Sequence, residues 1–217
     1  MKKTIFSLAL YLALSACGSN ERVSKEVFEQ VNRSMEVKKL SESEIIQAAM
    51  VWGEEISKES QEQLMAALKK AIADEGVPGA IEFCNVNALP IVREVGEKHG
   101  VTVRRVSMKY RNPEDKPLPE EEALLDAYTY NSENGIKNEP NIQRIQNGDI
   151  LLFTKAIVIP DAFCLNCHGS IDKEISPETA QKLKNLYPED KATGHKVGDL
   201  RGMWSIGLPK KELIKRL

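Results

Sequence analysis

Apolar residues recur along the chain at a few clear periods. From Glu21 to about Leu40, Val23, Val27, Val31 and Met35 stand four apart on a polar background, which predicts a narrowly amphipathic spacer or packing helix. Ser41 and Glu44 have capping-box spacing and open a second helical run through Ile45, Ala49, Trp52 and Ile56. A third, Lys58 to Glu75, puts Leu64, Leu68 and Ile72 on one face and stops at Gly76, with Gly53 a candidate bend. After Val77-Pro78-Gly79, residues Ile81, Cys84, Ala88, Ile91 and Val95 recur at spacings of three and four and share one helical stripe. Cys84 therefore points to the core side. Pro90 lies inside that pattern and predicts a kink or a division.

Strand patterns follow. Val101 to Lys109 is rich in β-branched residues, and its apolar positions change parity between Val103 and Val106. That predicts a bulge, or a strand with one end buried on each face. The loop RNPEDKPLP leads to a helix from Pro119 through Tyr128, with Glu120, Glu121 and Glu122 at its positive end. Ile150 to Ile159 is almost wholly apolar, a strand buried on both faces or over a ligand. Ser176 caps a short helix ending at Tyr187-Pro188, and Gly202 to Leu208 reads as a last strand.

Composition adds little until the ends are considered. With 217 residues, 41% hydrophobic and 29% charged, the chain has material for one sizeable core. Lys2 and Lys3, an apolar run from Ile5 to Leu14, then Leu14-Ser15-Ala16-Cys17, read as a secretion signal over residues 1–16. The cysteine after small residues resembles a bacterial lipoprotein box, which makes Cys17 the lipid-bearing residue, residues 17–40 a lipidated spacer, and the membrane a partner through that anchor. No aspartate follows Cys17, so the inner-membrane retention signal is missing; the expected location is a periplasm-facing lipoprotein of the outer membrane. Losing both lysines takes the formal charge from −2 to −4, which argues against nucleic acid as a partner.

With Cys17 committed to lipid, Cys84, Cys164 and Cys167 remain, an odd number in an oxidising compartment. Cys164-Leu165-Asn166-Cys167-His168 has the CxxCH spacing at which two thiols form thioethers to one haem and the next histidine reaches the iron. A redox disulfide, a zinc site and an inert local disulfide compete. The first lacks a βαβ setting, and the second lacks a matching ligand pair. The candidates for the other axial position are Cys84, His99, His195, Met108 and Met203, and spacing does not choose among them.

The motifs IEFCNVNALP, VRRVSMKYRNP, CLNCHGS and PEDKATGHKVGDLRGMWSIGLP, in that order, resemble a bacterial family of c-type haem domains with a PAS-like fold, over roughly Ser41 to the C-terminus. The resemblance implies an α+β domain over 41–217, with a PAS-like antiparallel sheet and long N-terminal helices packed on it. It also implies one covalent haem c per chain, with His168 and Cys84 as iron ligands. Arg105, Ser107, Lys109, Arg111 and Asn112 match polar positions of that family, and some of them suit haem propionates. His195 replaces an aromatic residue of the pattern, which keeps a His/His alternative open.

His/thiolate ligation would make this a low-potential cytochrome in electron transfer or another extracytoplasmic redox function with a separate redox protein. A haem-based sensor of redox state or of a gas such as NO or CO is the alternative. Since no transmitter follows Leu217, that sensor would signal through a separate partner. No triad, phosphate loop or carboxylate pair supports an enzyme apart from the haem.

Overall fold

The computed structural model describes residues 24–34 and 40–217. The expected leader, the lipidation at Cys17, and Val23 and Met35 lie outside the described residues. The chain divides into two units, residues 1–39 and 40–217. The first contains helix α1 (Lys25–Ser34), whose start is tied by the Val27 N–H donating to Ser24 Oγ at 3.2 Å. Val27 and Phe28 on it are exposed.

The second unit begins with the expected capping box: Ser41 Oγ accepts from Glu44 N–H at 3.2 Å, and the Glu44 carboxylate accepts from Ser41 N–H at 2.8 Å. The helical run α2 (Glu42–His99) leaves helical geometry at Gly76, where φ 72 and ψ 179 suit glycine. Its two halves lie side by side, since Glu59 bonds both Lys98 at 2.6 Å and His99 at 2.7 Å. Neither Gly53 nor Pro90 breaks the run. Packing of Ala88, Val92 and Val95 on both sides of Pro90 keeps that stretch helical despite the missing donor. Gly53 serves close approach instead: a Cβ there would stand 2.2 Å from Cγ of the fully buried Phe153. Gly53→Ala is expected to cost about 3 kcal/mol by overpacking, read as a lower urea midpoint with unchanged slope.

Four antiparallel strands follow, β1 (Thr102–Val106), β2 (Asn141–Ile145), β3 (Ile150–Val158) and β4 (Leu200–Pro209), in the sheet order β1-β4-β3-β2. Ile45, Ala49, Trp52 and Ile56 of α2 form the main core with Phe153, Trp204 and Ile206 on one sheet face. Helix α3 (Pro119–Glu133) covers part of the other face, with Leu125 and Tyr128 on Met203. The parity change in β1 follows: Val103 joins the α2 core and Val106 the α3 cluster, with regular pairing to β4 and no bulge. Strand β2 was not legible because it is an edge strand, largely exposed and polar. The C-terminal helix α6 (Lys210–Arg216) was likewise unmarked, and it buries Leu213. The result is the expected α+β class, long N-terminal helices on an antiparallel sheet. No helix among the described residues is long and apolar enough to cross a membrane.

Candidate functional site

The CxxCH segment is helical. Asp161 caps helix α4 (Ala162–His168) by accepting from Phe163 N–H at 2.9 Å, a start signal three residues before the motif. Positions 164, 167 and 168 stand at i, i+3 and i+4, so a helix turns all three side chains to one face. They line a cavity of about 920 Å³, in the upper part of the usual range for cofactor pockets, about 300–1,000 Å³. Cys84, from the second half of α2, lines the same cavity. Helix α5 (Pro177–Leu186) packs beside it, where Ile81, Leu183 and Tyr187 form a cluster against Cys167.

His168 is held by the Ala192 carbonyl, 2.8 Å from Nδ1. A carbonyl only accepts, so Nδ1 carries the proton and Nε2 is left as the lone-pair nitrogen. Burial, helped by the Arg201 and Arg111 charges, holds the His168 pKa well below its usual value and keeps the ring neutral. Cys84, Cys164 and Cys167 are unpaired thiols. Burial raises all three; Cys167 is pushed to about 11, and Arg105 and Arg111 oppose the rise at Cys84.

Of the candidate axial residues, Cys84 alone stands with His168 on the cavity wall. His99 is bonded to Glu59, Met108 is half exposed, and Met203 is buried under α3. His195 is buried, its ring centroid 6.3 Å from that of His168, with Nε2 lacking a hydrogen-bond partner and the ring away from the cavity lining.

The polar candidates divide by task. Arg111 Nη2 donates to the Cys167 carbonyl at 2.6 Å and Nε to Asp190 at 3.1 Å, which fixes the end of α4. Arg105, Ser107 and Asn112 line the cavity, whereas the Lys109 side chain is exposed and off its wall. Arg201 and Asp115 are among the lining residues that the sequence reading did not single out. No periodicity marks them. Arg201 precedes the apolar part of β4, and Asp115 sits in a polar loop that reads as solvated.

This donor set suits an iron porphyrin. Two neighbouring thiols, a neutral imidazole with a free nitrogen, apolar walls and guanidinium groups match a flat apolar ring that bears carboxylates. The orphaned Nε of Arg105, buried without a partner, is one such carboxylate's natural donor. Among the described residues, no group of three His, Cys, Asp or Glu side chains is placed to hold a bare metal ion.

Fold and site together define a class: an α+β domain in which a CxxCH helix and a thiol from a long helical pair share one cavity beside an antiparallel sheet. The chain belongs to the Tll0287-like family, whose model matches residues 15–209, a span that begins before Ser41. Among solved structures it is similar to the crystal structure of the cyanobacterial heme-protein Tll0287, at 24% identity and a TM-score of 0.48, over 72% of this chain and 95% of that one. No curated protein matches the chain.

Proposed function

We propose that the chain is a c-type haem protein, a lipid-anchored, low-potential cytochrome working in extracytoplasmic electron transfer with a separate redox protein. The observation that supports this most is the arrangement of His168, Cys164 and Cys167 on one helical face of the cavity that Cys84 also lines. The bound haem would supply one-electron chemistry. Cys164 and Cys167 would hold it by thioethers, and His168 through Nε2 and Cys84 through its sulfur would hold its iron. The Ala192 carbonyl fixes the His168 tautomer, the usual role of a partner behind a ligating histidine. With His168 and Cys84 both committed to holding the haem, the site would favour electron transfer over chemistry on a substrate.

A second reading, a redox or gas (NO/CO) sensor acting through a separate partner, draws on one observation. Burial favours the neutral thiol of Cys84, the form that would leave on reduction.

The protein secreted by a host competent for haem attachment is expected to keep peroxidase-type staining after denaturing electrophoresis. Loss of the stain ends the haem c reading. A redox titration with and without CO then separates the roles: a reversible couple with no CO adduct supports electron transfer, and ready CO binding on reduction supports sensing.

A further inference from the structure

Two guanidinium groups on the cavity wall have donors that the protein leaves unused. Arg105 of β1 has the buried, partnerless Nε, and its Nη2 stands 4.0 Å from Asp115 Oδ2, beyond hydrogen-bond reach. Arg201 owes its place to an irregularity in the sheet. β3 pairs Ile157 with Gly202 and Val158 with Leu200, so Arg201 has no partner on β3. Such a bulge re-aims a side chain. At Gly202 a Cβ would lie 2.4 Å from the Val106 carbonyl oxygen, so glycine lets β4 come close to β1 there. Ser107 Oγ donates to the Arg201 carbonyl at 2.7 Å and pins the bulge. The guanidinium itself makes a single bond, from Nη1 to the Lys109 carbonyl at 3.1 Å.

The neighbouring arginines are already engaged. Arg111 holds Asp190 and Cys167, while Arg104 holds Glu121 and the Glu114 and Lys116 carbonyls. Arg105 and Arg201 therefore bring two positive charges to the wall, with Asp115 as the one nearby carboxylate not bonded elsewhere. Leaving buried guanidinium donors without acceptors is costly, and carboxylates match them in geometry.

We infer that Arg105 and Arg201 form a carboxylate-binding site that takes the two carboxylates of the bound haem, and that Asp115 beside it couples the haem's redox state to one proton. This rests on the haem reading above. Asp115 is faced by Arg105 and Arg104 from β1, Arg201 from β4 and Glu114 from its own turn. Burial already raises its carboxyl above the usual range, against the pull of the three arginines. Two further carboxylates on Arg105 and Arg201 neutralise the charges that hold Asp115 ionised, and a third carboxyl in that space favours the protonated form. When a one-electron donor protein reduces the site, Asp115 takes a proton from solvent. One O–H bond forms, none in the protein breaks, and the charge of the site is unchanged.

The test is a set of equilibrium redox titrations of the full haem-loaded protein between about pH 5 and 9, with haem staining as a separate check. At fixed potential, the wild-type reduced-to-oxidised ratio is expected to fall by up to about tenfold per pH unit within that window, about 59 mV for one electron. Asp115→Asn is expected to flatten the profile, with the same optical spectrum and the same stain. Arg201→Gln is expected to lower the potential at every pH by removing a positive charge. If Asp115→Asn does not fold, the reduced-minus-oxidised infrared spectrum of the wild type in H2O and D2O must show a protonated-carboxyl band. A flat wild-type profile, a slope kept by Asp115→Asn, or no such band overturns the coupling. Lost stain in the wild type overturns the haem reading instead.

Discussion

On the haem c reading proposed above, Cys84→Ala is expected to keep the haem stain on a denaturing gel, to change the low-spin visible spectrum and to raise the midpoint potential. In that reading the thioethers would form on α4, so attachment would not depend on Cys84, which α2 supplies separately. Taking away the sulfur that Cys84 would offer the iron would remove much of the preference for the ferric state. A rise of about 120 mV, roughly a hundredfold in the redox equilibrium at 59 mV per tenfold for one electron, is the expected scale. The companion variants His195→Ala and Met108→Leu should leave the spectrum unaltered. An unchanged spectrum in Cys84→Ala with a changed one in His195→Ala would move the sixth ligand to His195.

Glu121→Ala should be the most destabilising single change on the far side of the sheet. Glu121 is 2% exposed and accepts three bonds, from Arg104 Nη1 at 2.7 Å, Leu118 N–H at 2.7 Å and Ser205 Oγ at 2.6 Å. It closes the α3 N-terminus and joins that helix to β1 and β4. Truncation leaves a guanidinium, a hydroxyl and a helix-end N–H without their acceptor. Breaking a buried pair from one side costs about 3–5 kcal/mol. Arg104 keeps its bonds to two carbonyls and is partly reachable by water, which places the loss near about 3 kcal/mol. At about 2–4 °C per kcal/mol for a domain of this size, the melting temperature should fall by roughly 10 °C. Glu121→Gln, which keeps the packing and one acceptor, should lose less than half as much; an equal loss would mean that the carboxylate charge carries the effect and packing does not.

These two residues differ in what the sequence disclosed. Cys84 lay on a visible stripe, and its core-facing direction was legible from spacing alone. Its company was not, because the other wall of the cavity comes from residues some eighty positions later in the chain. Glu121 read as one of three acids at the positive end of a helix, and nothing local distinguished it from Glu120 or Glu122. The difference arises because Arg104 and Ser205 sit side by side on the paired strands β1 and β4, beneath α3. Gly53 was read as a bend for the same reason: a glycine that makes room for Phe153, a hundred residues away, looks locally like a helix breaker.

The sequence by itself determined the long helical runs of α2, the starts of α3 and α5, the caps at Ser41 and Ser176, the break at Gly76, three of the four strands and the CxxCH spacing. Each of these is set by interactions within a few residues: side-chain period, capping bonds and backbone preference. The tertiary structure alone decided the strand order, the edge strand β2, and the gathering of Cys84 with His168 around one cavity. It also set Arg201 on a bulge facing Arg105 and Asp115. Those depend on which distant faces bury each other, a choice made by the whole core and encoded in no local pattern.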